Sequence, residues 1–238
     1  MKTDILAIGA HPDDIELSCA GIIAKNVKNG KSVSVLDLTE GELGTRGNRK
    51  IRIEEAKESA KILGLQSRIN LKLPDGNIEV SKKNILKVVS VIRELRPEIL
   101  LIPHFYERHP DHEHAHQLAK EAWFYAGLEK IKTTLNGKIQ KPHRPKKYFH
   151  FMQKYEFTPS FIVDVSDVYE TKLKSIKAFA SQFFNPQSIE PETILSSKEF
   201  LNFIESRDKH FGAMIGVKYG EALFSYEPVK INDLFTQI

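Results

Sequence analysis

The most constraining feature of this sequence is a rhythm. Four short apolar runs, at residues 5–10, 33–38, 69–73 and 99–102, alternate with three segments of helical periodicity at 15–26, 49–63 and 82–95. Apolar runs of this length, bounded by small or turn residues, read as strands buried on both faces. Their alternation with helices predicts a parallel sheet with helices on both faces. Right-handed crossovers leave few topologies. In the common order 3-2-1-4-5, strands one and four are neighbours and flank the crevice where such sheets keep their sites.

The expected fold is therefore α/β, a single Rossmann-like domain over residues 1–238 with a mostly parallel sheet. Beyond the fourth strand, a helix is expected at 113–127 and a basic, Pro-interrupted loop at 136–147. Strands follow at 148–152 and 161–165, and a helix at 168–179. An irregular stretch covers 183–191 and a last helix 197–210. The tail, 212–228, reads as loop with one possible short strand. Hydrophobic content of 41% and charged content of 28% allow a core of ordinary size. The single cysteine, Cys19, excludes an internal disulfide and a Cys-rich zinc module. No stretch approaches the ~18 apolar residues of a membrane span, and no signal-peptide pattern opens the chain. A cytoplasmic protein without nucleic-acid or membrane partners is expected. A net charge of +4 is too mild for nucleic acid, though it suits an anionic small substrate.

The chain's two polar clusters follow strands one and four. His11-Pro12-Asp13-Asp14 comes after the first and His109-Pro110-Asp111-His112 after the fourth. Any one of these residues has an ordinary reading: a lone loop histidine is usually solvated, and Asp13 or Asp14 alone reads as a helix N-cap. Two such clusters behind the two strands that the topology makes neighbours point instead to a metal site. His11, Asp14 and His112 form a two-imidazole, one-carboxylate set, and catalytic zinc commonly takes three protein ligands and keeps a fourth position for water. Iron(II) could occupy the same ligands. Asp13, beside a ligand, is placed to act as general base. His109 could polarise a carbonyl or protonate a leaving group. Asp111 could fix the tautomer of a histidine. His104, His114 and His116 are assigned to structure or solvent.

Ala10-His11-Pro12-Asp13-Asp14 and Arg108-His109-Pro110-Asp111-His112 resemble the two signatures of the zinc-dependent de-N-acetylases of the PIG-L (LmbE-like) family. Within it, the resemblance is nearest to the branch that deacetylates N-acetylglucosaminyl-malate during bacillithiol synthesis. It rests on Gly41-Glu42-Leu43-Gly44-Thr45-Arg46-Gly47, Arg52-x-x-Glu55-Ala56, Leu73-Pro74-Asp75-Gly76, Ser181-Gln182-Phe183 and Gly216-Val217-Lys218-Tyr219-Gly220-Glu221. The family implies zinc on His11, Asp14 and His112, Asp13 as base, and His109 as the residue that stabilises or protonates the tetrahedral intermediate. It also implies a homo-oligomer, hexameric in homologues. One departure is Phe200, where some relatives place a tyrosine.

On the substrate side, Arg46, Arg52 and Arg144 are candidates to hold a carboxylate by the guanidinium fork, Arg52 foremost. Glu42 could bind sugar hydroxyls. Each reads equally as a solvated surface residue. The leading expectation is a metal-dependent amide hydrolase acting on a small amino sugar, with a chitooligosaccharide or inositol conjugate as the alternative substrate. A non-haem iron oxygenase would use His11 and Asp13 with a distal histidine as a facial triad, but that triad belongs on an all-β barrel. A dinucleotide-binding module would need the glycines that 9–14 lacks.

Overall fold

Strand β1 (Ile5–Gly9) is buried along its whole length, as a strand covered on both faces must be. Its side chains alternate between two cores. Leu6 and Ile8 join the cluster built on Val88, Val89, Leu118 and Ala122; Ile5 and Ala7 join the cluster of Ile15, Ala20 and Ile23. The apolar runs are thus the middle layer of a helix–sheet–helix sandwich. The computed structural model describes residues 2–233; Met1 and 234–238, which the single-domain reading includes, lie outside the described residues.

The elements follow in the expected alternation: α1 (Asp14–Lys28), β2 (Val33–Thr39), α2 (Arg49–Leu63), β3 (Ser67–Leu73), α3 (Lys82–Leu95), β4 (Ile99–Pro103) and α4 (Pro110–Ala126). Local chemistry sets several ends. Asn48 caps α2 by accepting from the Ile51 N–H, Gly64 stops it at φ 67°, and Ser81 caps α3. Helix α4 begins earlier than its apolar pattern, because Pro110 suits the first helical turn.

After α4 come β5 (Thr134–Leu135), β6 (Lys138–Ile139), β7 (Lys147–Phe151), β8 (Phe161–Asp164), α5 (Tyr169–Lys177), α6 (Lys198–Met214) and β9 (Gly220–Phe224). The basic, Pro-interrupted loop expected at 136–147 contains β6 and the turn of the β5–β6 hairpin, whose first strand lies just before it. That turn is Asn136-Gly137, both at positive φ, the pairing that favours such turns. The short strand in the tail is β9, and it is interior to the sheet. The seven-stranded order is β3-β2-β1-β4-β7-β9-β8, parallel except where β9 pairs antiparallel with β7 and β8. The register pairs Ile5 with Ile99 and Ala7 with Leu101. The carboxyl ends of β1 and β4 therefore lie side by side, and the two polar clusters leave the sheet together. No helix among the described residues is long and apolar enough to cross a membrane.

Candidate active site

The two clusters meet in one cavity of 490 Å³. His11, Asp14 and His112 each offer a donor atom, and these atoms lie within 4.8 Å of one another. Asp14 Oδ1 stands 3.2 Å from His112 Nε2, and Oδ2 stands 3.7 Å from His11 Nδ1 while accepting the His11 N–H at 2.9 Å. The far side of the His11 ring is engaged as well: Nε2 lies 3.0 Å from Asp75 and 3.3 Å from Asp111. Such partners orient an imidazole so that its other nitrogen is free for a ligand. Asp111 is itself fixed by the N–H groups of Gly76 and Ile78, at 2.7 and 3.2 Å. His11, His109 and Asp111 form a second cluster of donor atoms. Its Asp111 is occupied by those amides, and its His109 Nδ1 accepts the Asp111 N–H at 3.2 Å.

The electrostatics favour a cation. Four carboxylates, from Asp13, Asp14, Asp75 and Asp111, surround the histidines. Burial works against a charged His11 ring, but the bonds to Asp111, Asp14 and Asp75 outweigh it and hold its pKa well above the usual value. Burial likewise opposes the Asp14 carboxylate, and His112 and His11 outweigh it in turn. The donor set thus recruits positive charge, and two imidazoles with one carboxylate suit a divalent ion.

Asp13 is the residue out of the ordinary. It precedes α1 with φ 111° and makes no capping bond. Its carboxylate is buried and accepts from Arg52 Nη2 at 3.1 Å, and Arg52 also donates to the Pro12 carbonyl. Burial pushes Asp13 up to about 7, with Arg52 acting against that and Asp14 reinforcing it. A carboxylate of that affinity can exchange a proton near neutrality. His109 completes the group, its ring centroid 4.9 Å from His11 and 5.1 Å from His112. With Nδ1 accepting, its proton resides on Nε2. Burial, and then His11 and His112, lower its pKa.

The candidate substrate residues divide. Arg46 and Arg52 line the cavity, but both are buried and engaged, Arg46 with the Ser181 carbonyl and Arg52 with Asp13. Arg52 is therefore not a free fork. Glu42 is outside the lining; its carboxylate accepts from the Asp75 and Glu40 N–H groups and ties the Gly-rich loop to the 74–76 turn. Arg144 is also outside, lying over the Phe124 ring and donating to the Phe124 carbonyl at 2.8 Å. Lining residues that spacing does not reveal are Asp75, Gln153, Arg108, Lys154 and Arg207. Asp75 stands within a recognisable turn, and Arg108 beside His109; the others arrive by tertiary pairing. Gln153 Nε2 is 3.3 Å from His112 Nε2. Arg108 and Lys154 are exposed at the rim with no ion pair among the described residues. The outer wall is apolar, with Leu43, Ile194, Phe200 and Phe203.

Known proteins resemble this chain in sequence and in fold. The family described as PIG-L, GlcNAc-PI de-N-acetylase, matches residues 6–123. Diacetylchitobiose deacetylase of Thermococcus kodakarensis is 32% identical over 229 residues, covering 92% of this chain and 81% of that protein. A 1D-myo-inositol 2-acetamido-2-deoxy-alpha-D-glucopyranoside deacetylase of Corynebacterium glutamicum is 25% identical, covering 76% and 75%. The crystal structure of a conserved protein of Thermus thermophilus superposes with a TM-score of 0.87 at 32% identity, over 98% of each chain.

Proposed function

Because the chain belongs to the PIG-L family of de-N-acetylases, we propose that it hydrolyses the acetamide of an N-acetylglucosaminide, releasing acetate and the free amine. The observation that carries this reading is the convergence of His11, Asp14 and His112 beside the buried Asp13 in one cavity. The three ligands would hold a divalent ion, zinc by the character of the set, with iron(II) also accommodated. That ion would supply Lewis acidity at the acetamide carbonyl.

The chain's own groups do the rest. Asp13 takes a proton as water adds to the carbonyl carbon. His109, with its proton on Nε2, donates to the oxyanion that develops. Asp75 and Asp111 hold the His11 ring in one orientation. When the C–N bond breaks, the nitrogen takes a proton from Asp13 or from His109. A pH–rate profile of His109→Ala decides between them, since loss of its alkaline limb assigns the acid to His109.

The finer reading is N-acetylglucosaminyl-malate as substrate, in bacillithiol synthesis. It is supported by the sequence resemblance and by the exposed cations Arg108 and Lys154 at the rim. A cytoplasmic location and a homo-oligomer, hexameric by the family resemblance, belong to the same proposal; solution mass tests the second. Acetate release is to be measured on the malate glycoside, diacetylchitobiose, an inositol glycoside and free N-acetylglucosamine. The malate glycoside should have the highest kcat/KM. Preference for diacetylchitobiose would sink the malate reading alone, and no release from any of them would sink the deacetylase reading.

A further inference from the structure

Helix α1 carries Asp14 at its first position and is broken within two turns. Cys19 has φ −142° and ψ 19°, outside the helical range. In an unbroken helix the Leu17 carbonyl would accept from the Gly21 N–H, and the Ser18 carbonyl from the Ile22 N–H. Here both amides donate to one carboxylate, Gly21 to Glu221 Oε1 at 2.9 Å and Ile22 to Oε2 at 2.6 Å. The Leu17 carbonyl accepts from Arg207 Nη2 at 2.5 Å. A Cβ on Gly21 would lie 2.8 Å from Val165 Cβ and 3.0 Å from Glu221 Cδ, so only glycine admits this approach. Burial pushes the Cys19 thiol up, so the break does not serve to expose a thiolate.

The two side chains that splice the break belong to one string of charges. Arg207 Nε lies 3.5 Å from Asp208, Asp208 lies 2.5 Å from Lys172 Nζ, and Lys172 Nζ lies 2.7 Å from Glu221. Lys172, Asp208 and Glu221 are at most 1% exposed, and Arg207 is 6% exposed. Buried ion networks give little net stability over apolar packing, so stability alone does not account for a string of four buried charges here. Arg207 has a second reach. Its Nη1 donates to the Gln153 carbonyl at 2.8 Å, and the Gln153 side chain stands against His112. One guanidinium thus ties the first turn of α1, which carries Asp14, to the segment beside His112.

We propose that Arg207, held by Asp208, Lys172 and Glu221, is a positioning residue that fixes the spacing of the two motifs by joining the broken helix α1 to the Gln153 backbone. This rests on the reading of His11, Asp14 and His112 as metal ligands. If the two ligand-bearing segments move as one body, metal binding and the splice must be coupled reciprocally.

The test uses zinc and the full chain. In the wild type, zinc should slow amide exchange at Gly21 and Ile22 several-fold, although neither amide belongs to the ligand set. Arg207→Lys, whose single ammonium cannot replace the planar fork on both carbonyls, should keep a native circular dichroism spectrum. It should bind zinc about 10–100-fold more weakly, as loss of an outer partner does. Methylguanidinium should restore affinity to Arg207→Ala. Val89→Ala, in the core on the opposite face of the sheet, should lower Tm and leave zinc affinity unchanged. Unaltered affinity in Arg207→Lys, or an equal loss in Val89→Ala, would overturn the proposal. So would zinc binding that leaves Gly21 and Ile22 exchange unchanged, a measurement that needs no variant. Failure of the wild type to bind zinc at all would overturn the metal reading together with this one.

Discussion

Backbone strain and chemistry coincide at Asp13. A non-glycine residue at φ 111° costs on the order of 1–3 kcal/mol and persists only where its surroundings fix it. Arg52 does so by gripping both the Pro12 carbonyl and the Asp13 carboxylate. Asp13→Asn retains the shape and loses the base. Its turnover should fall about 10²–10⁴-fold with metal content unchanged, read by steady-state kinetics and metal analysis; metal lost together with activity would make Asp13 a ligand. The arginines separate by the same reasoning. Arg52→Ala removes the partner of Asp13 and should slow the malate glycoside and free N-acetylglucosamine alike. Arg108→Ala removes an exposed rim charge and should cost about 1.5–3 kcal/mol in kcat/KM on the malate glycoside, with little effect on the uncharged sugar. Equal effects of Arg108→Ala on both substrates would remove Arg108 from aglycone binding.

Elements differ in how local their causes are. Strands β1 to β4 and helices α1 to α3 are legible in the sequence because run length, caps and stops agree within each segment. Strand β9 is legible only as a possibility, because its partners β7 and β8 lie far from it in sequence. The break in α1 leaves no trace at Cys19 itself, since the carboxylate that holds it comes from Glu221. The site follows the same division. Both polar motifs can be read where they stand, and topology brings them together. Gln153, Lys154 and Arg207 arrive through tertiary pairing. Glu42 and Arg144 lie outside the cavity lining, engaged by backbone groups and a ring that spacing does not reveal. Helix α2 allows a controlled test, as its first turn carries Arg52. Asn48→Ala removes the cap of that turn and should cost about 1 kcal/mol. Gly64→Ala forces an L side chain to φ 67° at the other end and should cost about 1–2 kcal/mol. Urea midpoints should fall in both variants, but kcat should fall only in Asn48→Ala; an equal fall in both would mean that α2 acts on the site as one rigid rod.

The whole molecule places its titrating groups unevenly about the sheet. The imidazoles of the metal cluster are surrounded by carboxylates, whereas a second set, His104, His116 and His150, is buried among aromatic rings near Phe224 and outside the cavity lining. Sequence reasoning assigns His104 and His116 to structure or solvent. Their Nδ1 atoms, with that of His150, pair with the carbonyls of Tyr106, Pro103 and Phe224. Burial lowers His116 to about 4 and His150 to about 3. An unfolded histidine titrates near ~6.5. Between that value and the folded ones the unfolded chain binds more protons, so this set makes stability rise with pH. The contribution is complete above pH ~6.5 and is lost as the pH falls toward 4, by about 2 kcal/mol for each of the two at pH 5. Asp37, which burial raises, titrates in the opposite sense, so the total slope is smaller than the histidine share. His150→Asn isolates that share, because the amide still donates to the Phe224 carbonyl but takes up no proton. The urea-derived stability difference between pH 7 and pH 5 should shrink by about 2 kcal/mol in this variant. An unchanged difference would mean that His150 takes up its proton within the fold through some local opening, and that acid sensitivity arises at the carboxylate-rich site instead.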